Sequence, residues 1–159
     1  MSESALGSGA GLYISSALLL RVETYANRRL PLESGGLLTG RRVGDAVLAT
    51  AFAGLANVLL AADRFGAGGA ETVQAVMQAA LRAEVVVATM HSHPGENGLP
   101  SARDLRAAYG YASCLHAIVS YPRGRFAFRV FRYWKNGAEY FCAEVPVFVD
   151  ESSRRSASP

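Results

Sequence analysis

The sequence predicts an α/β (α+β) fold, in which a central mixed, largely antiparallel β-sheet is flanked by two to three helices. Three observations predict it. Strand-like and helix-like segments are interspersed along one apolar chain, as in a sheet packed against helices. Residues 125–134 and 139–145 read as strands joined across Asn136-Gly137, the dipeptide favoured in a type I′ hairpin turn, so part of the sheet is antiparallel. Residues 85–90 form a short β-branched run without alternation, which suits a strand buried on both faces.

In chain order, a short strand is expected at 11–14 and a helix at 16–29, where Leu19, Val22, Tyr25 or Ala26, and Arg29 recur at helical spacing before Pro31 ends it. Ser34-Gly35-Gly36 leads into a strand through Leu37-Leu38-Thr39. After the Gly44-Asp45 turn a second strand runs over 47–53 and pairs with the first as a hairpin. Residues 63–70 are a glycine-rich loop. Val73, Val76, Met77, Ala80 and Leu81 then give the clearest helical periodicity in the chain and predict a buried helix face. The strand at 85–90 delivers the chain to His91. Beyond Pro100 a helix is expected from Ser101 to Tyr111, followed by a strand at 115–121 and the Asn136-Gly137 hairpin.

With 159 residues, half of them apolar, and no shift in composition, the chain is expected to form one domain over 11–149. A disordered N-terminus (1–10) and a polar, disordered tail (150–159) flank it. The start lacks a basic n-region, so no secretory signal is read. The longest apolar run, 46–62, is broken by Thr50, Gly54 and Asn57 and falls short of the roughly 20 apolar residues of a membrane helix. Cys114 and Cys142 are expected to be reduced, buried thiols in a cytoplasmic protein. The net charge of +3 is spread over arginine pairs, and Arg123, Arg125, Arg129 and Arg132 read as a solvated hairpin face. No aromatic RNA-binding motif accompanies them, so no nucleic-acid partner is expected.

The chemistry is concentrated in His91-Ser92-His93-Pro94, followed by Ser101-Ala102-Arg103-Asp104. Catalytic zinc takes three protein ligands of the imidazole and carboxylate kind and keeps a fourth position open. At the end of a strand, residues i and i+2 share a side, so His91 and His93 can face one ion while Ser92 faces away. Pro94 drives His93 toward the extended region that this alternation requires. Asp104, in the first turn of the next helix, completes a set for one catalytic Zn2+. Ser101 and Asp104 also read as an ordinary helix N-cap and its N3 partner. At ordinary residue usage the joint pattern arises by chance in roughly one chain per 10⁵, which favours the metal.

These residues resemble the signature of the JAMM (MPN/JAB-domain) zinc metalloproteases. The family's second motif, a glutamate before a glycine-rich strand, has its counterpart in Pro31-Leu32-Glu33-Ser34-Gly35-Gly36-Leu37-Leu38-Thr39-Gly40. The resemblance covers about residues 10–146 and implies a cytidine-deaminase-like sandwich. It further implies that Glu33 is the general base toward a water whose pKa the zinc lowers to about 7, and that Ser101 stabilises the oxyanion. The implied substrate is a peptide or isopeptide bond after the extended C-terminal tail of a ubiquitin-like or sulfur-carrier protein. The glycine-rich Glu33 segment is similar to the bacterial branch, whose members include enzymes of antiphage conjugation operons. Linkage-specific cleavage of ubiquitin chains is not implied, because the only other histidine is His116 and no second Cys/His cluster exists. Two other readings are a non-catalytic MPN scaffold, for which ligands are generally missing, and a thiol–imidazole pair of Cys114 and His116, for which no third orienting group stands out.

Overall fold

The computed structural model describes residues 9–60, 63–95, 97–107 and 114–151. Eight strands form one sheet in the order β7-β6-β5-β4-β2-β3-β1-β8. In chain order the elements are β1 (Gly11–Ser15), α1 (Ser16–Asn27), β2 (Gly35–Val43), β3 (Ala46–Leu55), α2 (Gly69–Leu81), β4 (Val85–Ser92), α3 (Ala102–Ala107), β5 (Leu115–Ser120), β6 (Ala127–Asn136), β7 (Glu139–Val145) and β8 (Val147–Asp150). The sheet is mixed and mostly antiparallel. β2 pairs antiparallel with β3 and β4, and β6 with β5 and β7, whereas the β1–β3, β1–β8 and β4–β5 pairs are parallel.

Helix α1 covers one face. Ser15 caps it by accepting the Leu18 N–H at 3.2 Å, and its stripe of Leu18, Val22 and Ala26 packs into a core with Leu12, Ile14, Leu38, Val47, Met90, Val119 and Val130. The helix is clamped at its far end. Tyr25 lies where a side chain on Gly54 would stand and donates its hydroxyl to the Leu55 carbonyl at 2.6 Å. The opposite face carries a smaller cluster of Ile118, Phe131 and Tyr133, on which Leu105 of α3 packs. That face also holds the chemistry, because period-2 alternation turns Thr89 and His91 of β4 away from the α1 side.

The structure departs from the sequence expectations at particular points. Strand β2 continues through Val43, and its bulge at Gly40 brings the Leu48 carbonyl where a β-carbon would sit. Strand β8 was not anticipated. Phe148 stacks on Tyr13 at 4.6 Å, which anchors Val147–Asp150 beside β1, so the strand includes Asp150, the first residue of the segment expected to be tail. Helix α3 spans Ala102–Ala107, and the expected continuation to Tyr111 lies outside the described residues. Strand β4 is central, yet Val85 is exposed and only Val87, Ala88, Met90 and Ser92 are buried, so it is not covered on both faces along its length. Cys114 is buried, but Cys142 is exposed on β7, and both are free thiols.

The largest correction concerns α2. Its periodicity is helical as expected, but Val73 (58% exposed, on the cavity wall), Met77 (62%) and Leu81 (79%) are not covered, and Ala79 is its one buried residue. The sheet surface such a stripe would cover is instead the floor of a cavity that α2 borders. Periodicity identifies an apolar face without saying what covers it. Among the described residues, no helix is long and apolar enough to cross a membrane.

Truncating the fully buried Leu38 to Ala is expected to cost about 2–5 kcal/mol of stability, whereas Met77→Ala should change it by about 0.5 kcal/mol or less. Urea denaturation midpoints check this. Equal losses for the two variants would place the α2 stripe in the core.

Candidate metal centre

Two segments far apart in sequence are fastened together by a pair of serines. The β2–β4 register pairs Gly35 with His91, and continuing it puts Ser34 opposite Ser92 and Glu33 opposite His93. The Ser92 N–H donates to the Ser34 carbonyl at 2.7 Å, the Ser34 N–H donates to Ser92 Oγ at 2.8 Å, and the Ser34 hydroxyl donates to the same oxygen at 3.0 Å. Both serines are buried on the side away from the cavity. Residues opposed across an antiparallel pair share a face, so this lock turns Glu33, His91 and His93 to the same side.

The ligand candidates converge there. His91 Nε2 lies 3.1 Å from His93 Nε2 and 3.4 Å from Asp104 Oδ1, and His93 Nε2 lies 3.5 Å from Asp104 Oδ2. The three donors form one group able to hold a metal ion, with all ligand atoms within 4.8 Å of one another. Donor atoms around a tetrahedral zinc with bonds of about 2.0–2.1 Å stand ~3.3–3.4 Å apart, so the spacing fits that ion. The donor chemistry fits as well, since two imidazoles and a carboxylate leave a fourth corner open to the cavity. His93 is oriented from behind. Its Nδ1 sits 2.7 Å from the Asn97 carbonyl, which fixes the tautomer with Nε2 free to ligate.

Asp104 both caps and faces the histidines. Its N–H donates to Ser101 Oγ at 3.2 Å, and the Ser101 N–H donates to Asp104 Oδ2 at 2.6 Å, which makes a complete capping box at the start of α3. Helix cap and metal ligand are therefore one arrangement. Burial alone would raise the Asp104 pKa, yet hydrogen bonds to His91 and His93 and the charge of His91 hold it far below the usual carboxylate range. The same hydrogen bond to Asp104 raises the pKa of His93. Glu33 moves the other way. Burial lifts its pKa above 4.5, and the two histidines offset this only in part. A carboxylate with raised proton affinity beside an open ligand position is suited to exchanging protons.

The cavity in front of these groups measures about 980 Å³, and Glu33, His91, His93, Ser101 and Asp104 all line it. On the β2 side its wall is largely apolar, built from Leu37, Leu55, Leu59, Phe65 and Val73, with Asp63 and Arg64 beside Phe65. Phe65 packs where any side chain on Gly35 would stand, which is why that position is glycine. The loop that carries Phe65 is organised by Asn57. Its side-chain amide donates to the Glu33 carbonyl at 3.0 Å and to the Arg64 carbonyl at 2.7 Å, while its oxygen accepts from Leu59 and Gly66. Sequence reasoning noticed Asn57 only as a break in an apolar run. A lone amide between Ala56 and Val58 was the available signal of a partly buried polar anchor.

The Cys114–His116 pair does not form a thiol–imidazole couple. His116 Nδ1 lies 2.9 Å from Thr89 Oγ1, and burial raises the Cys114 pKa, which opposes a thiolate. Of the hairpin arginines, Arg129 forms a bidentate pair with Glu144, with Nε 2.8 Å from Oε1.

A sequence profile for prokaryotic homologs of the JAB domain matches residues 15–133. No curated protein matches the chain. Among solved structures, the solution structure of a protein from Desulfitobacterium hafniense is similar, with a TM-score of 0.77 and 26% identity, covering 89% of this chain and 94% of that one.

The raised His93 pKa fixes a pH dependence. A base whose folded pKa lies above its ordinary 6.5 adds stability that is complete below pH 6.5 and is lost as pH rises through the folded value. Metal binding requires the neutral ring and strengthens over the same range. Thermal melting with chelator should therefore fall as pH rises above 6.5, and melting with excess zinc should rise. Parallel curves would contradict the shared use of His93 by proton and metal.

Proposed function

The chain belongs to the prokaryotic JAB-domain family, and on that premise we propose that it is a zinc-dependent hydrolase. It cuts the peptide or isopeptide bond after the extended C-terminal tail of a ubiquitin-like protein. The observation that carries this reading is the juxtaposition of three ligand atoms at tetrahedral spacing with a buried carboxylate, Glu33, on the same face.

His91, His93 and Asp104 would hold the ion, which when bound supplies Lewis acidity at the scissile carbonyl and brings the pKa of water down to about 7. Glu33 takes the proton of the attacking water and delivers it to the leaving amine, a role that suits its raised pKa. Ser101 Oγ accepts the Asp104 N–H, so its own hydroxyl hydrogen is free to turn into the cavity and donate to the developing oxyanion. Asn97 and Ser92 do no chemistry. They orient His93 and hold Glu33 across from it.

The substrate class is supported by the shape of the β2 side of the cavity. Phe65 fills the space beside Gly35 and gives that arm an apolar wall, and an extended Gly-Gly tail, with no side chains to place, suits it. Ubiquitin-like modifiers and sulfur carriers share such a tail, so deconjugation and precursor processing call on the same site.

Incubation of the zinc-loaded protein with a ubiquitin-like protein fused through a terminal Gly-Gly to a reporter tests this. Wild type should release the reporter, and Glu33→Gln should slow release by about 10²–10⁴ while binding zinc as wild type does. Equal cleavage by the two proteins would overturn the mechanism, and no cleavage of any such fusion would overturn the substrate class.

A further inference from the structure

We infer that Tyr133 and His116 form a polar subsite that holds a neutral amide carbonyl on the leaving-group side of the metal centre. The placement on the leaving-group side rests on the hydrolase reading above.

Strand β4 carries Thr89 two residues before His91, on the same face. The parallel β4–β5 register pairs Thr89 with His116, and the β5–β6 register pairs His116 with Phe131, so Tyr133 follows on that face. Thr89, His116 and Tyr133 therefore line the cavity floor on the side of β4 away from β2 and Glu33. The cavity thus has two unlike ends. One is apolar, beside Glu33, and the other is polar, beneath α3.

Two groups at the polar end are incomplete. His116 is 3% exposed and Tyr133 is 7% exposed, and neither His116 Nε2 nor the Tyr133 hydroxyl has a hydrogen-bond partner. They cannot serve each other. The rings stack face to face, 4.2 Å apart and 7° from parallel, which keeps the polar edges in separate planes. Buried polar atoms without partners are rare in folded proteins, and two of them on stacked residues that line one cavity mark a place where something else completes them.

The chemistry of that partner follows from what the two groups offer. Burial holds the Tyr133 pKa well above its ordinary value, so it presents an O–H donor at neutral pH. Burial brings His116 down to about 4, so its ring is neutral. His116 Nδ1 lies 2.9 Å from the Thr89 hydroxyl, and in the tautomer in which that hydroxyl donates, Nε2 carries the ring proton and is a second donor. Two donors suit one carbonyl oxygen with two lone pairs. Both groups are uncharged at neutral pH, so they suit a neutral amide. Since the apolar arm beside Glu33 takes the acyl tail, the amide belongs to the residue that carries the departing amine.

The test uses the zinc-loaded full chain and reads binding without turnover. Nα-acetyl-lysinamide serves as the amide-bearing probe and n-butylamine as its amide-free control, with the His116 ring nitrogens followed by NMR. The amide probe should shift His116 Nε2 saturably, and Tyr133→Phe should weaken its binding about five-fold, the loss of one hydrogen bond, while leaving butylamine binding and zinc stoichiometry unchanged. Absence of a saturable shift, or a Tyr133→Phe protein that binds both probes as wild type does, would overturn the subsite. The second result, joined to a raised melting temperature, would assign the two atoms to an enclosed water. A chain that binds the amide as expected but cleaves no fusion keeps the subsite and loses the hydrolase reading.

Discussion

The three hydrogen bonds between Ser34 and Ser92 are the constraint on which the candidate site depends. They fix the register in which the end of β4 meets the start of β2, and with it the face to which Glu33, His91 and His93 turn. Because side chains alternate with period two, a slip of one residue would send Glu33 to the α1 side and leave the histidines without a carboxylate base. Both serines are buried, so no water competes for these bonds. Nothing nearer to the chemistry could replace them, since Gly35 and Gly36 have no side chains with which to specify pairing.

A second economy lies in Asp104. The described turns of helix α3, Ala102–Ala107, are anchored by the Ser101–Asp104 capping box and by Leu105 packing on Ile118, Phe131 and Tyr133. The side chain that starts the helix also faces the imidazoles. Helix formation and ligand placement are thereby one event, and the proton affinities of Asp104 and His93 are displaced in opposite directions by the same contact.

Much of this was legible in the sequence because it is local. His91-x-His93 on a strand end, Ser101-x-x-Asp104 at a helix start and Asn136-Gly137 in a hairpin each draw their geometry from a few adjacent residues. The resemblance of the Glu33 segment supplied its pairing with the histidines. What stayed hidden is tertiary. The exposed stripe of α2 looks like any buried stripe until the cavity beside it is known. Strand β8 depends on Phe148 finding Tyr13, and Asn57 depends on a loop closing against Glu33. Ser92 was read as facing away from the ion, and it does, but only the fold shows that it faces Ser34. The stacked pair of His116 and Tyr133 needed the β5–β6 register, which no short motif encodes.

The central claim is that three side chains from two segments make one open metal site, and the visible spectrum of the cobalt-substituted protein tests it most directly. One Co2+ per chain with the intense bands of a four- or five-coordinate nitrogen- and oxygen-ligated ion, lost in His91→Ala and in Asp104→Ala, is the predicted result. A thiolate charge-transfer band, an octahedral spectrum unaffected by either substitution, or no bound cobalt would contradict it.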